Sequence, residues 1–295
     1  MKILLLGSRG QLGSELRRTL LPLGKVIPVD FPQIDFQDAD SILRVLTEIG
    51  PDVVINAAAY TLVDKAEAEK DTALNINAIA VGIIAEHCKQ TKTVLIHYST
   101  DYVFDGKKET PYTEIDLSAP INWYGVTKLE GEKRVEAVGG SALTFRTSWV
   151  YSLRQGGFVP KVLQLAHQQR EMKMVSDQIG SPTWARALAE TTTAVLARAG
   201  TQVFDWVFER KGLYHLGGKG GCSRFEWTQA ILENDPKRDQ HLVRDLVPAL
   251  TADFPTPAVR PLYTVLDCSK FEQVFQLELP DWRTALALAL EDNSR

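Results

Sequence analysis

The tightest constraint on this chain lies at its start. Residues Gly7-Ser8-Arg9-Gly10-Gln11-Leu12-Gly13 follow a short apolar run, Ile3 to Leu6, and open a helical pattern with Leu12, Leu16 and Leu20 on one stripe. Glycine permits positive φ and lets backbone approach a pyrophosphate with no Cβ in the way. The helix behind the turn adds unpaired N–H groups and a positive dipole end. The spacing is GxxGxxG rather than GxGxxG, so the context carries the reading: a strand before, a helix after, and an acid, Asp30, closing the second apolar run 17 residues past Gly13. The rival is a tight structural turn. An acid at Asp30 accepts the ribose hydroxyls of NAD. Arg9, inside the turn, would welcome the 2′-phosphate of NADP or sit in solvent. NADPH or NADH therefore both stay open as cofactor.

The same rhythm continues. Apolar runs at Val53-Val54-Ile55, Val94 to Tyr98 and Leu143 to Phe145 alternate with helical stretches near 40–49, 67–89 and 124–136. Strands that are apolar throughout, separated by helices, predict a parallel sheet covered on both faces. The expected fold is α/β, a Rossmann-type doubly wound sheet with a smaller C-terminal substrate-binding lobe. Residues 1–149 form the dinucleotide-binding domain, rejoined by segments around 172–200. Residues 150–171 and 201–295 form mainly the lobe. Residues 154–157 read as a loop, Ser223 as the N-cap of a helix to Asn234, and 236–263, with five prolines, as mostly loop.

Tyr124-Gly125-Val126-Thr127-Lys128 puts a phenol and an ammonium one helical turn apart. A nearby cation favours phenolate and would bring the tyrosine toward neutrality as a proton carrier. Tyr-x-x-x-Lys alone is often a surface pair. Here Ser99-Thr100-Asp101 precedes it, at the carboxyl edge of the fourth strand, where α/β sheets bind ligands. A hydroxyl there and the tyrosine read together as a clamp on a ketone or alcohol oxygen, with hydride from a nicotinamide.

These residues resemble a family. The glycine turn, Asn56-Ala57-Ala58-Ala59-Tyr60, Ser99-Thr100-Asp101 and Tyr124-x-x-x-Lys128 look like the extended short-chain dehydrogenase/reductases acting on nucleotide-sugars. Val63 to Glu67, His97 to Gly106, Phe145 to Tyr151, Asp177-Gln178-x-Gly180-x-Pro182-Thr183 and Arg260-Pro261 are similar to the dTDP-4-dehydrorhamnose reductases. The resemblance is dense to about residue 185 and thin from 236. It implies NAD(P)H-dependent reduction of the C4 ketone of dTDP-4-dehydro-L-rhamnose. Tyr124 would be the proton donor, Lys128 its partner and ribose ligand, and Thr100 a hydrogen bond to the same oxygen. Gly7, Gly10, Gln11, Leu12 and Gly13 would meet the pyrophosphate; Asp30, Asp35 and Phe36 would surround the adenosine. Ala58, Ala59, Tyr60, Thr61 and Tyr98 would line the cofactor path. Asp101 would lie in the substrate site and Trp149 would pack on the sugar. Arg260 would either approach the substrate diphosphate or close a surface salt bridge.

Two departures narrow the activity. The related dehydratases carry a Glu after Thr-Asp; here it is Tyr102, so elimination lacks its base. Where some reductases of the family hold magnesium through glutamates, Arg186 stands opposite Glu15, so no metal is expected. His87, His97, His167, His215 and His241 show no ligand spacing. Lys plus Arg count 33 and Asp plus Glu 37, a net charge of −4, which argues against nucleic-acid and membrane-surface partners. Three scattered cysteines and the lack of a long apolar stretch point to the cytoplasm. A dTDP-sugar is the expected partner, and a homodimer stays open. Two rivals remain: a non-catalytic regulatory subunit of the same fold, and an epimerase or dehydratase of the superfamily.

Overall fold

The structure, a computed structural model, describes residues 1–154 and 156–292; Gln155, inside the expected loop, and residues 293–295 lie outside the described residues. Its centre is a six-stranded sheet of β1 (Lys2–Leu6), β2 (Lys25–Val29), β3 (Val53–Asn56), β4 (Val94–Thr100), β5 (Ala142–Thr147) and β6 (Gly212–His215). The strands lie in the order β6-β5-β4-β3-β1-β2, and every neighbouring pair is parallel.

Alternation along each strand builds two cores. Ile3 and Leu5 of β1 face Leu12 and Leu16 of α1 (Gln11–Thr19). Leu4 and Leu6 face Ile42, Val45 and Leu46 of α2 (Ala39–Ile49). The second face is completed by α3 (Ala80–Gln90) and α4 (Trp123–Val138). Burial on both sides is why these strands read as unbroken apolar runs.

The stretch expected as one helix over 67–89 is interrupted. A short helix, Lys70–Leu74, runs through a π-helical turn, Asn75–Ile79, into α3. The cause is close packing. A Cβ at Gly131 of α4 would stand 2.2 Å from the Asn77 carbonyl oxygen. The turn delivers the Asn77 side chain inward, where it accepts from Tyr60 N–H (2.9 Å) and donates to Thr127 Oγ1 (3.1 Å).

After β5 the chain shuttles between layers. It enters the lobe with α5 (Phe158–Ala166), returns to cover α1 with α6 (Ala185–Ala199) and α7 (Val203–Glu209), and adds β6 at the sheet edge. It re-enters the lobe with α8 (Arg224–Asn234), packs α9 (Ser269–Phe275) under β6, and closes with α10 (Trp282–Asp292). The lobe has its own core around Tyr151, Trp227, Ile231 and Leu286. This differs in detail from the expected division. Glu171–Val175, expected to rejoin the sheet, instead pairs with Asp245–Ala249 in the lobe. Residues 203–215 and 269–275, expected in the lobe, belong to the sheet layer. There Val207, Phe271 and Phe275 bury against Phe145 and Leu143, and without α9 that face would be bare. Among the described residues no helix is long and apolar enough to cross a membrane.

Candidate active site

The strand order reverses between β1 and β3, and the loops leaving these two strands meet there. A Cβ on Gly7, whose φ is 74°, would lie 2.5 Å from Ala58 N; one on Gly13 would lie 2.0 Å from the Gly7 oxygen. No other residue type fits either position. The first intrahelical bond of α1 comes from Ser14 N–H to Gly10 O (3.0 Å), so the amides of Gln11, Leu12 and Gly13 open the helix. No side chain caps that end and its first turn holds no acid. A bare helix N-terminus behind glycines fits a pyrophosphate.

A cavity of about 590 Å³ runs from this turn to α4. It is lined by Gly7, Gly10, Gln11, Leu12, Asp30 and Phe36 at one end, and by Ala58, Ala59, Thr61 and Tyr98 along its length. Thr100, Asp101, Tyr124, Lys128 and Trp149 form the other end. The size is that of a small-molecule site. At the glycine-turn end, Asp30 accepts from Arg9 N–H (2.9 Å) and Phe31 N–H (3.0 Å), while Arg9 Nη1 reaches Phe31 O (3.3 Å). The acid and the cation thus share one corner.

At the other end, Tyr124 and Thr100 line the cavity together. Burial pushes the Tyr124 phenol well above the ordinary tyrosine range, the nearby Thr100 hydroxyl works the other way, and Asp101 and Tyr102 add to the rise. This reverses the sequence expectation of a lowered tyrosine. Lys128 is buried and donates to the Tyr98 carbonyl at 2.6 Å. Its own pKa falls to about 8 by desolvation, with Glu132 opposing. Thr100 donates to Asp101 Oδ1 (3.0 Å), while Asp101 Oδ2 accepts from Ser148 Oγ (2.7 Å) and Thr264 Oγ1 (2.6 Å). Burial raises the Asp101 carboxyl, against those three hydroxyls and Arg224.

The whole chain, residues 1–295, matches the family model described as RmlD substrate binding domain. A dTDP-4-dehydrorhamnose reductase of Burkholderia thailandensis is 42% identical over 99% of this chain and 99% of its own length. The chain belongs to the dTDP-4-dehydrorhamnose reductase family. A relative of that name in Escherichia coli K12 is 39% identical over 99% of this chain and 98% of its own. A solved dTDP-4-dehydrorhamnose reductase of Clostridium acetobutylicum superimposes with a TM-score of 0.91, at 33% identity and full coverage of both chains. One from Bacillus anthracis, solved in complex with NADP, gives 0.87 at 32% identity, covering 99% of this chain and 100% of that one. The fold shared with these reductases is the doubly wound α/β sheet described above.

Against this family's expected site, four of the sequence-selected residues do not line the cavity. Gly13 lies behind the turn, packed on Gly7. Asp35 is occupied locally, its Oδ1 accepting from Gln37 N–H at 2.9 Å. The Tyr60 hydroxyl donates to Glu69 at 2.6 Å, and that contact raises its pKa to about 12. Arg260 Nη2 sits 2.8 Å from Asp64 Oδ2 and its Nη1 reaches Ala258 O (3.2 Å), the salt-bridge alternative. The Gln11 side chain is spent on Ser152 and Val150, leaving its backbone amide for a ligand. Tyr102 stands edge-on to Tyr124, ring centroids 5.7 Å apart, where a dehydratase base would be. Arg186 Nε lies 3.4 Å from Glu15 Oε2, pairing the two residues set against each other in sequence.

Several residues escaped sequence reasoning. Ser148, Thr264, Asn77 and Arg224 reach the site only through tertiary contacts. The histidines hold a further surprise: His167, Asp235 and His241 gather with ligand atoms within 4.8 Å of one another, a group able to hold a metal ion. Asp235 and His241 already bond each other at 2.6 Å. Their separation in sequence hid the cluster, and it stands in the lobe, apart from the cavity.

Proposed function

We propose that the chain reduces the C4 ketone of dTDP-4-dehydro-L-rhamnose to dTDP-L-rhamnose, with NADPH or NADH. The observation that carries the reading is that Thr100, Tyr124 and Lys128 line one cavity with the glycine turn. The relatives' names supply the substrate class. Bound, the cofactor supplies the hydride.

The chain's residues do the rest. A ketone carbon that takes hydride leaves a negative oxygen. Tyr124, kept protonated by burial, gives that oxygen its proton. Thr100, whose hydroxyl proton rests on Asp101, would turn that proton to the same oxygen. Lys128 fixes the Tyr98 carbonyl and offers its remaining donors to the ribose. The amides of Gln11 and Leu12 take the pyrophosphate, and Ala58, Ala59 and Thr61 line the path beyond it. Gly7, Gly10, Asp30, Phe36 and Tyr98 complete the cofactor set, and Trp149 with Asp101 the substrate set. Arg9 beside Asp30 supports NADPH, as does the NADP held by the Bacillus anthracis relative.

The three cysteines are free thiols, which suits the reducing cytoplasm; sedimentation of the purified chain decides between monomer and homodimer. The deciding assay incubates the chain with dTDP-4-dehydro-L-rhamnose and NADPH or NADH. Cofactor oxidation with formation of dTDP-L-rhamnose is expected. A folded chain that oxidises neither cofactor overturns the reading.

A further inference from the structure

Arg224 is the first residue of α8, behind the Ser223 cap, and only its backbone amide is spoken for, by Gln178 O at 3.1 Å. Its guanidinium carbon lies 3.6 Å from the centroid of the Trp149 ring, 4.9 Å from Phe158 and 5.5 Å from Trp227. The ring of Trp149 lines the reaction cavity, and the guanidinium lies against that ring. The residue is partly buried. Among the described residues, its five N–H donors meet no hydrogen-bond acceptor; what acts on it is burial, the charge of Asp101, and repulsion from Arg260.

This is an unusual economy for a cation. A guanidinium withdrawn from water is normally paired, because its donors lose hydration. Aromatic faces compensate the charge but not the donors. Asp101 accepts from Thr100, Ser148 and Thr264, and among the described residues no hydrogen bond joins it to Arg224. Arg260, on the other side, has given its donors to Asp64 and Ala258. Two like charges therefore face one region beside Tyr102, and one of them has every donor free. An anion between them relieves the repulsion and fills the donors together.

We propose that Arg224 is the anion-binding residue of the substrate site, its guanidinium fork receiving the diphosphate of the sugar nucleotide. The proposal rests on the functional reading above and names the residue that selects a nucleotide-diphosphate sugar over a free sugar. The planar fork matches two phosphate oxygens at once, and the Trp149 face keeps the plane in register; a lysine offers neither.

The test uses the full chain and its Arg224→Met, Arg224→Gln and Arg224→Lys variants. Calorimetric titration compares dTDP with thymidine, which lacks the phosphates, and steady-state assays separate KM for the dTDP-sugar from KM for NADPH. The Met and Gln variants are expected to lose dTDP affinity by about tenfold or more, with thymidine and NADPH affinity within about twofold of the parent. Lys restores only part of the loss. A Met or Gln variant that binds NADPH normally and keeps dTDP affinity within about twofold overturns the proposal. So does an equal loss for thymidine and dTDP, which marks a packing role. If the parent binds dTDP in an Arg224-dependent way but oxidises no cofactor, the functional reading fails and the anion site stands.

Discussion

Tyr124 is held protonated by its surroundings, as the proposed donor must be. Tyr124→Phe removes the one proton poised over the cavity while leaving the ring. Turnover is expected to fall by about a hundredfold to ten-thousandfold, with NADPH affinity unchanged by fluorescence titration; a variant with full kcat refutes the role. Lys128 titrates in the opposite sense. Its folded pKa of about 8 lies below the ordinary 10.5, so between these values the unfolded chain binds more protons than the folded one. Stability then rises with pH across that window, and the penalty returns as pH falls through 8. Cofactor-free melts of Lys128→Met should lack this slope, and the parent should gain on the variant by at most about 3 kcal/mol from pH 8 to 10.5. Parallel curves would show that Lys128 is not desolvated. Tyr124, Lys128 and Thr100 were legible in the sequence because each motif is contiguous. The sign of the tyrosine shift was not, because Lys128 turns to the Tyr98 carbonyl and burial then dominates.

At the level of elements, the β1–α1 turn is the least tolerant piece. Gly13→Ala would drive a Cβ into the Gly7 oxygen, 2.0 Å away. The turn must open, which overpacks the switch point and costs about 1–3 kcal/mol. Cofactor Kd is expected to rise about tenfold or more, read by titration with NADPH; wild-type affinity would mean the turn yields without cost. A milder case is the cap of α8, where Ser223 Oγ accepts from Glu226 N–H at 3.0 Å and Glu226 answers to Ser223 N–H at 2.7 Å. Ser223→Ala should cost about 1 kcal/mol in denaturant melts, and no change would show that the lobe, not the cap, sets that end. Both features could be read from sequence, since glycine spacing and Ser-x-x-Glu are local signals. The π-helical turn was hidden: its cause, Gly131 against Asn77, lies 54 positions away along the chain. The short helices 203–209 and 269–275 were hidden for the same reason, being fixed by a sheet edge built elsewhere.

On the scale of the whole molecule, sheet and lobe meet at Asp101, which takes Thr100 and Ser148 from the sheet side and Thr264 from the segment beneath the lobe. Thr264→Val removes one of the bonds that hold its carboxyl down, so burial pushes it further up. The acid limb of the kcat/KM profile should move to higher pH, with kcat reduced; an unmoved limb would detach Asp101 from catalysis. The repeated passage of the chain between layers has a further consequence, for synthesis on the ribosome. Five of the six strands have emerged once residue 147 is made, yet the face over α1 stays open until 185–199 follows, and the β5 edge until 212–215. The nascent sheet therefore carries a greasy flank for much of translation. Pauses or truncations between these segments, rather than mutations in the finished fold, are where such a chain would most need a chaperone.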